Sequence, residues 1–175
     1  ILNASGHREW CSGCTDAAGV IVDDDGQILE SEFSSDPSEI LADFNLITRS
    51  NQVQIYESRH ADCDGVLTTS FLRKCEEVKD NRIVPDGALT ADGAPIENAG
   101  IDVVNYSIAS DELSSPAQAT VQVRVMYQAL PPYYLADRFA LLNETQTAPE
   151  TQRLLHMVGF LNLEDPTLPL RDWKL

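Results

Sequence analysis

Short segments in which apolar and polar residues alternate are the feature that most constrains the fold of this chain. The clearest are residues 52–57, 101–108 and 120–127, and residues 66–72 follow an Asp-Gly turn. A period of two directs one set of side chains to a buried face and the other to a solvated face of a sheet. Many short strands separated by turns predict a mainly β fold, an antiparallel two-sheet sandwich of the jelly-roll or immunoglobulin-like type.

An acidic turn near the N-terminus predicts the first hairpin of this sandwich. Residues 23–26, Asp-Asp-Asp-Gly, separate the apolar residues 20–22 from Ile28 and Leu29. Clusters of Asp and Gly between apolar segments are typical of β-turns. We therefore expect two short antiparallel strands around this turn.

The pattern changes to a helical one only near the C-terminus. Residues 133–142 follow a stiff Pro-Pro pair and predict one helix. Pro149 suits the first turn of a second helix, whose apolar stripe consists of Leu154, Leu155, Val158 and Leu161. We expect a β-sandwich body over residues 1–130, with residues 131–175 forming a helical and extended segment packed on the same domain.

Charge and hydropathy exclude several classes of partner. The chain has 175 residues, 28 acidic and 12 basic, and a formal net charge of −16. A nucleic-acid phosphate backbone requires a Lys/Arg surface that this composition does not supply. No apolar run approaches the roughly 20 residues that cross a bilayer, so we expect neither nucleic-acid binding nor a membrane span.

Four cysteines fall in two close pairs, Cys11 with Cys14 and Cys63 with Cys75. An even number of cysteines is typical of structural disulfides formed in an oxidising compartment. The spacing leaves both the local pairing and a cross-pairing between the two pairs open. We expect an extracytoplasmic location, periplasmic, at the cell surface or secreted.

Several long strings carry a resemblance to a known family. These are QVQIYESRHADCDGVLTTSFLRKCEEVKDNRIVPDG, VRVMYQALPPYYLADRF, PETQRLLHMVGFLNL and the closing DWKL. Over most of residues 46–175 the chain resembles the C-terminal β-rich domain of bacterial extracytoplasmic multihaem c-type cytochromes. That domain begins with Asn-x-x-Gly-His followed by Lys-x-Pro-x-Gly. Residues 3–7, Asn-Ala-Ser-Gly-His, match the first half, and residues 8–14 depart from the second.

The resemblance implies a module that follows, or docks on, a haem-bearing segment or subunit, with His7 facing the haem iron. A covalent haem c site has the pattern Cys-x-x-Cys-His, and here Thr15 stands after Cys11 and Cys14. The two thiols therefore fit a disulfide, an atypical haem anchor with iron ligated from elsewhere, or a zinc or copper site that includes His7. A haem contributed by a neighbouring segment or chain is the cofactor that the resemblance implies.

Two acidic turns are candidate calcium sites. Asp23 and Asp25 precede Gly26, and Asp62 and Asp64 precede Gly65. Carboxylate oxygens are the ligands that calcium prefers, although neither turn has the twelve-residue EF-hand pattern. Acidic turns of this kind also occur simply as solvated loop tips.

Enzyme signatures are missing from the sequence. It has no nucleophile elbow, P-loop, dinucleotide fingerprint or His-Glu-x-x-His motif. His60, after the predicted strand 52–57, is expected in a solvated turn. We predict no catalytic activity.

Two functions from different classes are consistent with these features. The first is a β-sandwich module of a multihaem cytochrome assembly that supports electron transfer by shielding or ligating a neighbouring haem. The second is a non-redox structural or adhesive subunit of a surface assembly, stabilised by disulfides and a candidate for calcium binding. Either function is compatible with a homo-oligomer or a filament.

Overall fold

A computed structural model describes residues 1–140 and 149–160 of the chain. The described residues are mostly short strands and coil, with three small sheets and two α-helices in the C-terminal part, which confirms this much of the predicted class; a two-sheet sandwich is not confirmed. The strands are β1 Cys14–Thr15, β2 Ile21–Val22, β3 Leu46–Ile47, β4 Ser58–Ala61, β5 Leu67–Thr68, β6 Glu76–Asp80 and β7 Asn105–Tyr106. The helices are α1 Pro132–Ala140 and α2 Pro149–Gly159, with 3-10 turns at Glu30–Phe33, Pro37–Glu39, Ser110–Glu112 and Pro116–Gln118.

The chain forms two compact units. The first unit contains Ile1–Phe33 and the described residues from Ala109 onward, and the second contains Ser34–Ile108. Residues on both sides of position 130 therefore belong to the first unit. None of the described helices is both long and apolar enough to cross a membrane.

The first unit contains a short antiparallel strand pair near the N-terminus, just before the predicted Asp-Gly turn. Strands β1 and β2 pair antiparallel, with Cys14 opposite Val22. The chain then turns through residues 23–27, and Val22 forms a second bridge with Ile28. Trp10, Val22 and Leu29 are buried in this unit. The predicted hairpin around the Asp-Gly turn is therefore present only as the Val22–Ile28 bridge, and the paired strands β1 and β2 precede that turn.

The second unit contains a three-stranded antiparallel sheet and a short parallel pair. The sheet has the order β5-β4-β6, and β3 pairs with β7. The register between β4 and β6 places His60 opposite Glu77 and Arg59 opposite Lys79, so Val78 is skipped as a β-bulge. Ile47 and Ala61 are fully buried and form the centre of this unit's small core.

Several predicted strands are shifted or shortened in the structure. Residues 52–57 form no strand, because pairing begins only at Ser58. Within residues 66–72 only β5 is paired, and within residues 101–108 only β7. Residues 120–127 contribute a single bridge, from Thr120 to Leu2. Alternation gives a segment a sequence that suits a sheet, but the segment becomes a strand only where it pairs with a partner strand.

The two helix predictions are confirmed. Helix α1 begins at the second residue of the Pro-Pro pair and α2 begins at Pro149, where the missing amide hydrogen costs nothing. Leu154 and Val158 of the predicted stripe are half-buried, whereas Leu155 is exposed. Leu161 and the predicted extended segment after it lie outside the described residues.

Candidate functional site

One turn geometry recurs five times and determines how the candidate residues are placed. In each case a side-chain oxygen accepts backbone hydrogen bonds from residues further along the turn, and the glycine three residues on has positive φ. We call this arrangement a capped turn. The capped turns begin at Asn3, Asp16, Asp23, Asp62 and Thr90, with Gly6, Gly19, Gly26, Gly65 and Gly93 at the left-handed position.

His7 lies at the end of the first capped turn. The Asn3 Oδ1 accepts hydrogen bonds from the backbone N–H groups of Ser5 and His7, both at 3.0 Å. The Asn3 N–H donates to the His7 carbonyl at 2.9 Å, which closes the turn. The imidazole itself is exposed, and the described part of the chain offers it no hydrogen bond or ion pair. The backbone is thus fixed while the ring faces outward.

Cys11 and Cys14 are bonded to each other, with their Cα atoms 6.0 Å apart. Cys11 is buried beside Trp10, and Cys14 begins β1. Thr15 occupies the next position in β1, where a haem c site would need its histidine. Thiols joined in a disulfide cannot form thioethers to a porphyrin or ligate a metal as thiolates. The residues present therefore do not fit a haem c held covalently by this chain.

Cys63 and Cys75 form the second disulfide, with a Cα–Cα distance of 5.1 Å. This bond spans the end of the three-stranded sheet, because Cys63 follows β4 and Cys75 precedes β6. The Cys75 N–H also donates to the Ala61 carbonyl at 3.0 Å. Of the pairings that the sequence left open, the structure has the two local ones.

The predicted calcium ligands serve first as turn caps. Asp23 Oδ1 accepts from the N–H groups of Asp25 at 3.0 Å and Gln27 at 2.8 Å. Asp62 Oδ1 does the same for Asp64 and Val66, both at 3.0 Å. A local carboxylate that satisfies two amide donors is sufficient reason for an aspartate at these positions.

One acidic triad remains geometrically compatible with a cation. One carboxylate oxygen from each of Asp23, Asp24 and Asp25 lies within 4.8 Å of the other two, and among the described residues no second group of three potential ligands is this close. Asp62 and Asp64 are not part of such a group. Calcium binding at either turn stays a prediction.

The sequence did not predict a polar cluster on the three-stranded sheet. His60 lies in β4 and is largely buried, so the prediction of a solvated turn was wrong. Its Nε2 lies 3.1 Å from Ser58 Oγ and 3.5 Å from Glu77 Oε2. In a Ser-His-acid triad the acid contacts the ring nitrogen opposite the serine. Here both groups meet the same nitrogen, so this cluster lacks the geometry for activating a nucleophile.

A buried ion pair lies on the same sheet. Lys79 Nζ donates to Glu57 Oε1 at 3.0 Å, and Arg59 lies 3.6 Å from Glu57 Oε2. The three side chains are each at most 10% exposed. Asn81 accepts a hydrogen bond from the Glu57 N–H at 2.9 Å and donates to Asp43 at 3.2 Å. A hydrogen bond from Gln54 is the main cause that lowers the pKa of Asp43, with a smaller contribution from Asn81.

The first unit also contains an apolar cavity of about 370 Å³. Its lining includes Phe33, Met126, Leu135, Phe139 and Val158. Among the described residues of its lining, Tyr127 is the only titratable one. Catalytic pockets bring several titratable groups together, so this cavity gives no support for an enzyme.

Comparisons with protein-family models, with curated proteins and with solved structures find no match for this chain. The site is therefore judged on its own residues. It offers one exposed imidazole on a fixed turn, two closed disulfides and a series of capped turns.

Proposed function

We propose that this chain is a non-redox structural module of a larger extracytoplasmic assembly, in which its role is to make protein contacts. The observation that carries this proposal is the distribution of apolar side chains. Seven apolar residues are buried among the described residues, whereas 22 large apolar side chains are exposed. A chain of this length normally buries most of its apolar surface, and large exposed apolar patches mark sites of interaction.

The disulfides support the location in this proposal. Two bonded pairs and no free cysteine are typical of proteins that mature in an oxidising compartment. They also compensate for the small core, because a crosslink lowers the entropy of the unfolded chain.

The two-sheet sandwich belongs to the same proposal. The three small sheets leave exposed segments whose sequences favour β structure, residues 101–103 and 121–127 among them. Pairing of these segments with strands from the rest of the assembly would complete two facing layers. Electron-transfer chemistry is not needed for this role.

The proposal is tested on the chain exported to an oxidising compartment and purified without reductant. We expect no cysteine to react with an alkylating reagent until the protein is unfolded and reduced, when four should react. We expect the melting temperature to fall with reductant and the protein to bind a dye specific for exposed apolar surface. Labelling of native thiols, or an unbound dye, would contradict the proposal.

His7 favours a second candidate, the accessory module of a multihaem cytochrome assembly that the family resemblance implies. An exposed imidazole on a capped turn suits the ligation of an iron that belongs to another segment. An imidazole of this kind can occupy the open axial position of a five-coordinate haem iron. We expect a five-coordinate haem peptide to show a Soret shift when the chain is added.

Replacement His7→Ala is expected to abolish this shift. His156→Ala is the matched control, because His156 is also exposed, on α2. A shift that survives His7→Ala, or that is lost equally in His156→Ala, would remove the second candidate.

A further inference from the structure

Residues 121–125 combine a strong β sequence with high exposure, whereas Met126 and Tyr127 beside them also line the apolar cavity. Val121, Val123, Val125 and Tyr127 are 68%, 80%, 83% and 72% exposed, and the intervening residues are exposed as well. The segment forms neither a helix nor a turn. A segment with alternating branched residues and two exposed faces is rare on the surface of a monomeric protein. Its unpaired backbone is a template for pairing with another strand.

Both ends of the segment are fixed. Thr120 exchanges two backbone hydrogen bonds with Leu2, at 2.9 and 2.8 Å, and Gln128 Nε2 donates to the Gly19 carbonyl at 2.6 Å. Between these anchors, no backbone N–H or C=O of residues 121–127 is hydrogen-bonded to another described residue. The segment is therefore held in place with its backbone donors and acceptors unused.

The charge distribution favours approach of another chain at this place. The molecule has a net charge of −16, yet residues 113–136 contain no Asp or Glu and only one basic residue, Arg124. Carboxylate repulsion between two copies is thus smallest at this segment. Screening at physiological ionic strength limits repulsion from more distant charges to within about 8 Å.

The sequence of the segment is nearly symmetric about Val123. In an antiparallel pair centred on this residue, Val123 faces Val123 and Val121 faces Val125 of the partner. Gln122 faces Arg124, a neutral amide opposite a cation. Centring the pair on Arg124 would instead place two like charges directly opposite, which is destabilising.

We propose that residues 121–125 pair antiparallel with the same residues of a second copy of this chain, with Val123 on the two-fold axis. This makes an isologous interface, in which each copy supplies the strand that the other lacks. The inference rests on the proposed function, since it names one partner for the exposed apolar segments.

Cysteine crosslinking tests the register directly. Val123→Cys places two thiols opposite each other, whereas in Val125→Cys the two thiols are four residues apart along the pair, about 13 Å. The two valines are equally exposed, so they form a matched pair. After mild oxidation of each purified variant, we expect at least tenfold more disulfide-linked dimer for Val123→Cys.

Proline provides the second arm of the test. The N–H of Val123 has no partner among the described residues, so Val123→Pro is expected to leave the melting temperature of the dilute monomer close to that of Val123→Ala. The proline removes a hydrogen bond from the proposed pair, and we expect it to weaken dimerisation at least tenfold in sedimentation equilibrium.

Equal crosslinking of the two cysteine variants, or a wild-type chain that stays monomeric at millimolar concentration, would overturn the inference. Crosslinking of Val123→Cys to a different protein in the native compartment would also overturn it and assign the segment to another partner. The proposed function fails separately, through reactive native thiols or the absence of dye binding.

Discussion

Strand β4, with the sequence Ser-Arg-His-Ala, lies at the centre of a three-stranded sheet, whereas residues 120–127 alternate far more regularly and join no sheet beyond Thr120. Intrinsic β preference would rank the two segments in the opposite order. The difference lies in their neighbours. β4 has a partner on each side within 20 residues along the chain, and the other segment has one bridge, to a residue more than 100 positions away.

Three local devices hold β4 between its neighbours. The capped turn at Asp62 returns the chain into β5, the Cys63–Cys75 disulfide fixes the start of β6, and the ion pair of Glu57 with Lys79 joins the other end. Each device brings partners together at a low cost in chain entropy. Whether a segment of this chain forms a strand is therefore decided by contacts that close the loop to its partner. A segment with alternation alone has a sequence that favours β structure but stays unpaired.

Removal of the Glu57 carboxylate is expected to break the sheet around β4 most strongly. Glu57→Gln leaves the Lys79 ammonium buried without its counter-charge, and loss of one partner from a buried pair costs about 3–5 kcal/mol. We expect the free energy of unfolding in urea to fall by about 3 kcal/mol. Glu76→Gln, at an exposed position of β6, is the control and should change it by less than about 0.5 kcal/mol.

The double variant Glu57→Gln with Lys79→Met separates the pair from general damage. Because it removes both charges of the 3.0 Å contact, it should be more stable than Glu57→Gln alone, while Arg59 loses its contact with the Glu57 carboxylate in both variants. A double variant that is less stable than Glu57→Gln and less stable than Lys79→Met would show that the Lys79 ammonium is not the group left without a partner in Glu57→Gln.

The Cys63–Cys75 disulfide should contribute more to the free energy of unfolding than the Cys11–Cys14 disulfide, because it closes the longer loop. The bonded cysteines are 12 positions apart in the second unit and 3 apart in the first. Loop entropy predicts about 3 kcal/mol for Cys63–Cys75 and roughly half of that for Cys11–Cys14. Either bond can be opened alone, by adding reductant to a variant that lacks the other pair, Cys11→Ala/Cys14→Ala or Cys63→Ala/Cys75→Ala.

In this design each variant is compared with itself before and after reduction, so differences in side-chain burial cancel. The urea midpoint of the Cys11→Ala/Cys14→Ala variant should shift further on reduction. Equal shifts in the two variants would mean that the Cys63–Cys75 disulfide does not stabilise the sheet more than the Cys11–Cys14 disulfide stabilises the first unit. Loop closure by this bond would then not explain why β4 is paired and residues 121–127 are not.

The turn within residues 20–29 and both helices were predictable because each depends on residues close in sequence, and the cysteine spacings included the local pairing as one of two alternatives. Asp-Gly turns, Pro149 and the cysteine spacings are signals of that kind. The strand at residues 58–61 was not predictable in the same way. Its place depends on a β-bulge at Val78 and on a buried ion pair, and both are properties of strand register.

The candidate site shows the same division. The acidic turns were recognised, but their carboxylates were assigned to calcium and not to the backbone N–H groups they accept from. The signal for this role was present in the sequence as Asn, Asp or Thr followed three residues later by Gly, five times. The contact of His60 with Glu77 needed the register of β4 and β6, which no local pattern encodes.

Loss of the Asp62 cap should have an intermediate effect on the pairing of β4 with β5. Asp62→Ala removes an oxygen that accepts from the N–H groups of Asp64 and Val66, and we expect it to cost about 1 kcal/mol, as loss of a helix cap does. Asp62→Asn keeps a side-chain oxygen at the same position and should remain within a few tenths of the wild type. Thermal unfolding measures both. A loss of stability in Asp62→Asn equal to that in Asp62→Ala would assign the role to the charge and not to the cap.

The smallest expected effect concerns residues 101–108, a predicted strand that is secured partly by a side chain. Tyr56 Oη donates to Asp102 Oδ2 at 2.5 Å. Burial, followed by this hydrogen bond and the Asp102 charge, raises the pKa of Tyr56 to about 12. A raised pKa means that the folded state holds this proton more tightly, so the contribution to stability is complete below pH 10 and is lost as the pH rises from 10 towards 12. Because Tyr56 is 40% exposed, we expect only a small loss.

Ultraviolet titration of the tyrosine phenols measures the raised pKa of Tyr56 directly. The titration should contain a late step from Tyr56, whose pKa is raised to about 12, and Tyr56→Phe should remove that step. Tyr127→Phe, in the exposed segment 121–127, is the control and should leave the late step in place. If the late step persists in Tyr56→Phe, residues 101–108 are not held through Asp102. They would then resemble residues 120–127, with the pairing of β7 to β3 as their remaining attachment.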